Sequence, residues 1–221
     1  MKTKQKKIIC FIPIKKTSER LKLKNFRELG GKPLYKHIVD KVSRIKEFDK
    51  IIVDTDSKEI QNYCTKKKIS FIERLDYLKT NKANGNHLLK YWINKEPNYD
   101  YYFLVHVTSP FVKETSIKGC INELKFNKKI NSIFTAVKEY SWYWFKNEPI
   151  NFKKYNLIRS QELKPIVRDV TFLYGITKKE FLKRNSRIGS KPYPYFISKK
   201  EAVDINESFD LVYSRNLIKK N

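Results

Sequence analysis

The stretch Ile8-Ile9-Cys10-Phe11-Ile12-Pro13 is an apolar run of strand length. It leads into the basic loop Ile14-Lys15-Lys16-Thr17-Ser18-Glu19-Arg20-Leu21-Lys22-Leu23-Lys24-Asn25, and Gly30-Gly31-Lys32-Pro33-Leu34 follows. In α/β proteins a phosphate chain binds where a strand ends in such a loop, because ammonium groups, guanidinium groups and backbone N–H donors converge there. The stretch therefore predicts an α/β fold with a nucleotide site at the end of the first strand. A lysine-rich loop without a ligand is the alternative.

Apolar runs of strand length alternate with stretches of helical period along most of the chain. The pattern predicts strands over residues 8–13, 50–54, 70–72, 101–106, 132–137, 170–177 and 195–198. It predicts helices over residues 34–45, 57–64, 115–126, 178–183 and 207–219. Asp56 and Glu59 have the spacing of a capping box at the start of the second helix. This alternation is typical of βαβ units, so we expect a three-layer α/β fold with a mainly parallel, doubly wound sheet.

Length and composition indicate one globular unit. The chain has 221 residues, of which 40% are hydrophobic and 32% charged, so residues 1–221 are predicted to form a single domain. No apolar run approaches the roughly 20 residues that cross a bilayer, and residues 1–7 are too short and polar for a secretion signal, so we expect a cytoplasmic protein with no membrane partner. The three cysteines are widely spaced and are predicted to be buried free thiols.

The net charge of +25 and the pI of about 9.8 favour polyanionic partners. Nucleic-acid binding is therefore a rival hypothesis from a different functional class. The lysines, however, are spread along the whole chain as solvated faces between apolar positions. This distribution makes nucleic acid the less favoured partner.

An aromatic, irregular segment follows the predicted strand 132–137. It begins with Tyr140-Ser141-Trp142-Tyr143-Trp144-Phe145. Residues 138–168 are predicted to form a protruding β-arm that contacts a second subunit or an acceptor, because clustered exposed aromatic side chains usually mark an interface. A cap on the hydrophobic core is the alternative.

The strand, basic loop and Gly-Gly-Lys-Pro-Leu turn resemble the first motif of the CMP-sugar cytidylyltransferases, which activate sialic acid, KDO and related ulosonic acids with CTP. Lys15 stands where that family has Arg, and Glu19 stands where it has Lys. The resemblance implies a nucleotide-diphospho-sugar transferase-like fold. It also implies a homodimer, because related enzymes dimerise through a β-arm in this part of the chain. It also implies that CTP is bound by Pro13, Lys15, Ser18, Arg20, Lys24 and Asn25.

Two further positions match the family's nucleotide site. Arg74, after the predicted strand 70–72, falls where the family has an Arg-Pro pair near the nucleotide. Gly85 lies in the small polar segment Asn81-Lys82-Ala83-Asn84-Gly85-Asn86-His87, where backbone N–H groups are able to approach the base or ribose. The resemblance therefore adds Arg74 and Gly85 to the nucleotide-binding residues.

The segment Val105-His106-Val107-Thr108-Ser109-Pro110-Phe111 resembles the family's Gln-Pro-Thr-Ser-Pro-Leu, with His106 in place of Gln. This motif lies at the carboxyl end of a central strand and faces the sugar, which implies acceptor contacts from His106, Thr108 and Ser109. Three later positions fall in stretches where the family touches the acceptor. They are Arg159, whose planar guanidinium suits a sugar carboxylate, Gln161 and Thr171.

The segment from Ala202 to Asp210 resembles the family's last motif, Ile-Asp-Ile-Asp followed by a helix. Alternation along a strand would place Asp204 and Asn206 on one face. The resemblance implies that both hold Mg²⁺, with the Asn206 amide oxygen replacing a carboxylate as a weaker ligand. A helix-entry turn without a metal is the alternative.

Taken together, the resemblance implies transfer of CMP from CTP to an ulosonic acid, with release of pyrophosphate, for bacterial surface glycan synthesis. Arg20, Lys24 and Asp204 are the expected catalytic residues, and no covalent intermediate is needed. Two alternatives stay open: a nucleotidyltransferase of the same fold with another acceptor, and a catalytically weakened paralogue that acts as a binding partner. The resemblance covers nearly the whole chain, through several motifs in the same order.

Overall fold

The structure is a computed structural model that describes residues 6–80 and 82–219. Asn81 of the predicted base loop and residues 1–5 lie outside this part of the chain. The strands are β1 (Ile8–Ile14), β2 (Glu28–Leu29), β3 (Lys32–Pro33), β4 (Lys50–Thr55), β5 (Ser70–Glu73), β6 (Tyr101–Val105), β7 (Ser132–Glu139), β8 (Trp144–Phe145), β9 (Glu148–Pro149), β10 (Ile166–Thr177) and β11 (Pro192–Phe196). The α-helices are α1 (Leu34–Val42), α2 (Lys58–Lys67), α3 (Asp76–Lys79), α4 (Gly85–Lys95), α5 (Glu114–Phe126), α6 (Lys178–Arg184) and α7 (Ser208–Lys219).

A seven-stranded sheet forms the middle layer, in the order β11-β7-β10-β6-β1-β4-β5. Strand β10 runs antiparallel to β6 and β7, and the other pairings in the sheet are parallel. The predicted mainly parallel sheet is confirmed. Parallel strands that end at the same edge bring their following loops together, so this edge is where a ligand site is expected.

Helices cover both faces of the sheet, which confirms the three-layer prediction. Cys10 and Ile12 of β1 pack in the cluster that contains α1, α2 and α5. Ile9 and Phe11 point to the opposite cluster, which contains α3, α4 and α6. Phe11 stacks on Trp92 of α4 with ring centroids 4.5 Å apart. Because each fully buried side chain of this size contributes about 1.5–3 kcal/mol, β1 is held firmly between the two layers.

A third, smaller cluster joins the two ends of the chain. Leu21 of the basic loop, Leu34 of α1, Ile205 and Leu211 of α7 are buried together, with Leu29 of the β2–β3 hairpin. Leu21 follows Arg20, and Ile205 lies between Asp204 and Asn206. This apolar contact therefore brings the predicted phosphate loop and the predicted metal motif to the same place.

The segment between β7 and β10 lies within the region predicted as the arm. It holds the short β8–β9 hairpin and a 3₁₀ helix at Ser160–Glu162. Its aromatic side chains are widely exposed: Trp144 by 52%, Phe145 by 64% and Tyr155 by 95%. None of the helices in residues 6–80 and 82–219 is long and apolar enough to cross a membrane.

Two local predictions are wrong. The capping box at Asp56 and Glu59 does not form, because the Asp56 carboxylate accepts the Lys16 backbone N–H, and Ser57 caps α2 through its hydroxyl oxygen instead. Residues 202–206 are not a strand, because Ile205 donates its N–H to the carbonyl of Thr108 in a loop connection and pairs with no neighbouring strand.

Several element boundaries differ from those predicted. The last strand covers Pro192–Phe196 and not residues 195–198, and α1 ends at Val42, although Ile45 is still buried. Strand β10 begins at Ile166, four residues before the predicted start. All three cysteines are buried and free, as predicted.

Candidate active site

A cleft with a volume of about 320 Å³ opens at the carboxyl ends of three parallel strands. Pro13 lies near the end of β1, Arg74 follows β5 and His106 follows β6. The remaining wall comes from the basic loop, from Leu88 of α4 and from the segments around residues 108 and 206. Of the residues predicted for the site, this wall contains Lys15, Ser18, Arg20, Lys24, Asn25, Thr108 and Asn206.

The basic loop has a fixed shape. Asn25, which is buried, donates from Nδ2 to the carbonyl oxygen of Lys15 at 2.8 Å and thereby closes the loop on itself. The Lys16 N–H donates to Asp56 Oδ1 at 2.6 Å, which ties the loop to the end of β4. Leu23 takes the left-handed backbone conformation, with φ of 53°, just before the 3₁₀ turn at Lys24–Phe26. These contacts set the direction of the cationic side chains before any ligand arrives.

Asn206 connects the cations of the loop to Asp204. Its Oδ1 accepts hydrogen bonds from Arg20 Nη2 and from Lys24 Nζ, each at 3.0 Å. Its Nδ2 donates to Asp204 Oδ2 at 2.5 Å. Residues more than 180 positions apart in the sequence therefore meet at one side-chain amide.

The turn that carries Asn206 is held from both sides. Ile205 N–H donates to the carbonyl of Thr108 at 2.8 Å, next to the predicted acceptor motif. Asp210 Oδ2 accepts the backbone N–H groups of Asn206 at 2.9 Å and of Glu207 at 2.8 Å, at the start of α7. Asp210 thus has a structural role in the turn.

The electrostatics of the cleft favour an anion. Burial lowers the pKa of Lys24, the carboxylate of Asp204 acts in the opposite direction, and the nearby Arg20 lowers the pKa further. A partly desolvated ammonium beside a guanidinium gains most from a negatively charged ligand, because the surrounding protein screens its charge less than water does.

One carboxylate oxygen of Asp204 has no hydrogen-bond partner, whereas both polar side-chain atoms of Asn206 are hydrogen-bonded. Asp204 Oδ1 is buried and has no hydrogen-bond partner within the described ranges. A buried carboxylate oxygen without a partner is costly, so this atom fits a cation brought by a ligand. The amide oxygen of Asn206 is already taken by two cationic donors, and this arrangement does not support the predicted metal contact from Asn206.

Arg74 reaches the cleft from a buried anchor. Its Nε donates to Asp54 Oδ1 at 2.5 Å, and Trp92 Nε1 donates to the other carboxylate oxygen at 2.6 Å. Arg74 is 4% exposed and Asp54 is completely buried. A buried pair with each carboxylate oxygen satisfied fixes the guanidinium plane at the cleft wall.

The acceptor motif lies at the end of β6. His106 donates its backbone N–H to the carbonyl of Phe172 at 2.8 Å, and its ring lines the cleft. Burial, together with the positive charge of Arg187, lowers the pKa of His106 to about 4, so the imidazole is neutral at neutral pH. Thr108 also lines the cleft, whereas Ser109 is buried behind it.

Six of the predicted residues do not line the cleft: Asp204 contacts the lining residue Asn206, Ser109 is buried, and four others lie in different parts of the fold. Gly85 begins α4 next to Arg187, in a separate small cavity. Arg159 and Gln161 are exposed in the arm, and Arg159 pairs with Glu162 at 2.7 Å. Thr171 is exposed at an irregularity of β10, with φ of 55°.

Three structurally important residues were not assigned to the site from the sequence. Asp54 orients Arg74 and Asp56 ties down the basic loop. Both are carboxylates at the end of a predicted strand, which is a signal that such residues face a ligand edge. Arg187 contacts Tyr174 of β10 and Asn86 of α4, which are far apart in the sequence, and no local pattern indicates its position.

The comparisons with known proteins agree with this geometry. A family model described as cytidylyltransferase matches residues 9–199, which is most of the chain. The chain belongs to the cytidylyltransferase family. The sequence resemblance to CMP-sugar cytidylyltransferases is thus confirmed at the level of the family.

The curated relatives are distant in sequence. An N-acylneuraminate cytidylyltransferase of Streptococcus agalactiae is 27% identical over 94% of this chain, which spans only 52% of that relative. The chain therefore covers about half the length of such relatives. A CMP-N,N'-diacetyllegionaminic acid synthase of Legionella pneumophila is 26% identical, with 97% of both chains covered.

A solved structure with a similar fold is CMP:2-keto-3-deoxy-manno-octonic acid synthetase complexed with CTP. It aligns over 97% of this chain and 99% of its own, with a TM-score of 0.72 and 13% sequence identity. A 4-diphosphocytidyl-2C-methyl-D-erythritol synthase from Anaerococcus prevotii aligns with a TM-score of 0.68 and 15% identity, over 97% of this chain and 96% of its own. At these identities the two structures show the fold.

Proposed function

We propose that this chain transfers CMP from CTP to a nonulosonic acid and releases pyrophosphate, as a step of bacterial surface glycan synthesis. The observation that carries the proposal is the junction at Asn206. Arg20 and Lys24 from the loop after β1 meet Asp204 from the opposite end of the chain there, at the strand edge of a cytidylyltransferase-family protein.

The nucleotide is proposed to lie along the basic loop. Arg20 and Lys24 would hold the β- and γ-phosphates, since both are cations that already converge on one point. Asn25 Oδ1 is buried without a partner in the described structure, and Asn25 lines the cleft. That oxygen is a suitable acceptor for the cytosine amino group or a ribose hydroxyl.

The chemistry is an in-line displacement at the α-phosphate. The anomeric hydroxyl oxygen of the acceptor forms a bond to the α-phosphorus and releases its proton to solvent, while the bond from that phosphorus to the oxygen of the β-phosphate breaks. Negative charge grows on the leaving pyrophosphate, and Arg20 and Lys24 are placed to stabilise it. Positioning and charge stabilisation are sufficient for this step, and no nucleophilic side chain is required.

We propose Asp204 as the carboxylate that holds Mg²⁺ together with the phosphates of CTP. Its free Oδ1 supports this role, and Mg²⁺ is often bound by one or two carboxylates plus substrate phosphates. Within residues 6–80 and 82–219, no group of three or more His, Cys, Asp or Glu side chains is arranged to hold a metal ion. When bound, Mg²⁺ would neutralise phosphate charge. Because the phosphates supply the other ligands, we expect the binding of Mg²⁺ to depend on the nucleotide.

The acceptor class is proposed from the relative whose length is similar to that of this chain. The alignment with the L. pneumophila legionaminic acid synthase covers 97% of both chains, whereas this chain covers 52% of the S. agalactiae relative. His106 and Thr108 line the cleft and are the proposed acceptor contacts. The neutral His106 ring is able both to donate and to accept a hydrogen bond from a sugar hydroxyl.

We further propose a homodimer that forms through the arm, in the cytoplasm where CTP is available. The exposed aromatic side chains of Trp144, Phe145 and Tyr155 support an interface, since such residues are enriched in the cores of protein contacts. The spread of lysine along the chain gives no support to a nucleic-acid groove.

Pyrophosphate release tests the proposed function. The protein would be incubated with CTP, UTP, ATP or GTP and with N-acetylneuraminic, N,N'-diacetyllegionaminic, pseudaminic or 2-keto-3-deoxy-manno-octonic acid, in Mg²⁺ or in EDTA. We expect release only with CTP, Mg²⁺ and at least one of these acids, with the CMP-sugar detected by mass spectrometry. Release with a phosphorylated alcohol as the acceptor, or with no acceptor at all, would contradict the proposal.

A further inference from the structure

Arg187 is a cation that lines the small cavity at the start of α4, separate from the cleft of the candidate active site. It lies in the loop between α6 and β11, and its guanidinium carbon is 4.0 Å from the centroid of the Tyr174 ring in β10. Its backbone N–H donates to Asn86 Oδ1 of α4 at 2.9 Å. A guanidinium stacked on an aromatic ring keeps its in-plane N–H donors free for a ligand.

Gly85 provides the room for this side chain. A Cβ atom at position 85 would lie 2.3 Å from Arg187 Nη1 and 3.3 Å from Leu104. Such a contact requires Arg187 to move. The missing side chain at Gly85 therefore accommodates the guanidinium, which gives this glycine a role different from the predicted contact with the nucleotide.

Arg187 makes no ion pair with another described residue. The acidic residue of this region, Asp169, accepts hydrogen bonds from the Tyr174 hydroxyl at 2.8 Å and from the Thr171 N–H at 2.7 Å. By contrast, Arg184 on α6 pairs with Glu180 at 3.4 Å. The charge of Arg187 is thus left for an anion.

The position of Arg187 corresponds to the acceptor side of the cleft. Tyr174 pairs in register with Leu104 of β6, and His106 follows two residues later on the same side of the chain. Arg20 and Lys24, the cations proposed to bind the phosphates, come from the loop after β1, on the other side of β6 in the sheet order. His106 therefore lies between Arg187 and the proposed triphosphate site.

We propose that Arg187 binds the carboxylate of the acceptor acid, an inference that rests on the proposed function. In a nonulosonic acid the carboxylate is attached to the anomeric carbon, so it must lie close to the hydroxyl that attacks the α-phosphate. A planar guanidinium over Tyr174, on the β10 side of His106, is suited to bind that carboxylate through two parallel hydrogen bonds. Arg187 takes the role that the sequence predicted for Arg159, which lies in the arm.

The test compares an acceptor acid with its carboxamide. The acceptor that the wild type uses would be assayed with the R187A, R187K and R187M variants, and R184A would serve as the matched control. We expect R187A to raise the KM for the acid by roughly 10- to 100-fold, the range for a lost charged hydrogen bond, while the KM for CTP stays within about twofold. R187M keeps the apolar stem over Tyr174 and should show the same loss, and R187K should recover part of it.

The carboxamide distinguishes recognition from a structural role. Wild type should prefer the acid over the carboxamide, and R187A should have lost that preference. Equal losses of both substrates in R187A, an unchanged KM for the acid, or a weaker affinity for CTP would overturn the proposal. Calorimetry with CTP on the same samples distinguishes a failure of the Arg187 proposal from a failure of the proposed function. Wild type that binds CTP but neither binds nor uses any acid would contradict the proposed function as well as the role of Arg187.

Discussion

At the scale of single residues, Asn206 shows why a neutral amide differs from the acid that it replaces. An amide both accepts and donates, so Asn206 contacts Arg20, Lys24 and Asp204 at once. A carboxylate would accept from the two cations but would repel Asp204. The amide thus leaves the two positive charges available to a triphosphate.

The N206D variant tests this interpretation. A second carboxylate beside Asp204 should strengthen the binding of a divalent cation in the absence of nucleotide, because the ion then has two anionic ligands. Electron paramagnetic resonance of Mn²⁺ would measure the affinity. N216D adds the same charge at an exposed position of α7 and serves as the control. An affinity in N206D equal to that of wild type would refute the role given to the amide.

Lys24 is expected to matter for rate more than for folding. The K24A variant should lower kcat/KM for CTP by on the order of 10²- to 10³-fold, by analogy with the loss of one transition-state donor. The midpoint of thermal unfolding should stay nearly unchanged, and the same pattern is expected for D204A. The exposed neighbour Lys22 provides the control variant K22A. Wild-type activity in K24A would remove Lys24 from the active site.

His106 should make the fold sensitive to acid. The unfolded chain takes up a proton at the ordinary histidine pKa of 6.5, whereas in the folded protein burial lowers the pKa of His106 to about 4. Between these pH values the unfolded state binds more protons, so acidification lowers the free energy of unfolding. We expect this loss to be about 1–3 kcal/mol smaller in H106Q. Urea unfolding of wild type and H106Q between pH 7 and pH 4 would measure this loss. The same dependence of the free energy of unfolding on pH in both proteins would contradict the expectation.

The residue types of the site were predictable where one residue serves one chemical need. Cations after an apolar strand follow from phosphate chemistry, and the acid near the last helix follows from the family resemblance. Arg20, Lys24 and Asp204 do meet in space. The roles of Asn206 and Gly85 were not predictable. The orientation of an amide, and the occupant of the space above a glycine, depend on neighbours that only the fold supplies.

At the scale of elements, Glu201 connects the loop after β11 to the start of α5. Its carboxylate accepts from the Lys113 N–H at 3.0 Å, from the Ser116 hydroxyl at 2.5 Å and from Ser198 through both its hydroxyl, at 2.8 Å, and its N–H, at 3.2 Å. Burial acts to raise the pKa of Glu201, but these hydrogen bonds outweigh it and lower the pKa. The residue is buried and three positions from Asp204.

The E201A variant should therefore destabilise the fold by about 2–4 kcal/mol, because four donors lose a charged acceptor. Urea unfolding at pH 7 would measure the change, and E207A, at an exposed position on the same segment, is the control. The folded-state pKa lies below that of the unfolded chain, so the stabilisation is present at neutral pH and is lost as the pH falls through the folded value. Equal stability of E201A and E207A would contradict this account.

Element types were more predictable than their pairing. The alternation of strands and helices gave the parallel part of the sheet, because βαβ units follow from local pattern. The antiparallel insertion of β10 between β6 and β7 depends on contacts across the sheet. Residues 202–206 alternate in polarity like a strand, but their backbone is used by a loop contact to Thr108.

At the scale of the whole molecule, the aromatic arm is the surface expected to join two subunits. The double variant W144E/F145E places two charges on the β8–β9 hairpin, where both side chains are more than half exposed. We expect a dimeric wild type and a monomeric variant, because buried charges without partners oppose association. Light scattering after size exclusion would measure the mass. F126E, at an exposed aromatic position on α5, is the control, and an unchanged mass of the double variant would exclude the arm.

The central claim is that CTP lies along the basic loop, with its phosphates between the two ends of the chain. A crystal structure with CTP and Mg²⁺ tests it most directly. The account predicts the β- and γ-phosphates within hydrogen-bonding distance of Arg20 and Lys24, and Mg²⁺ bound to Asp204 Oδ1. A triphosphate bound elsewhere, with the hydrogen bonds of Asn206 to these two cations undisturbed and Asp204 without a ligand, would contradict it.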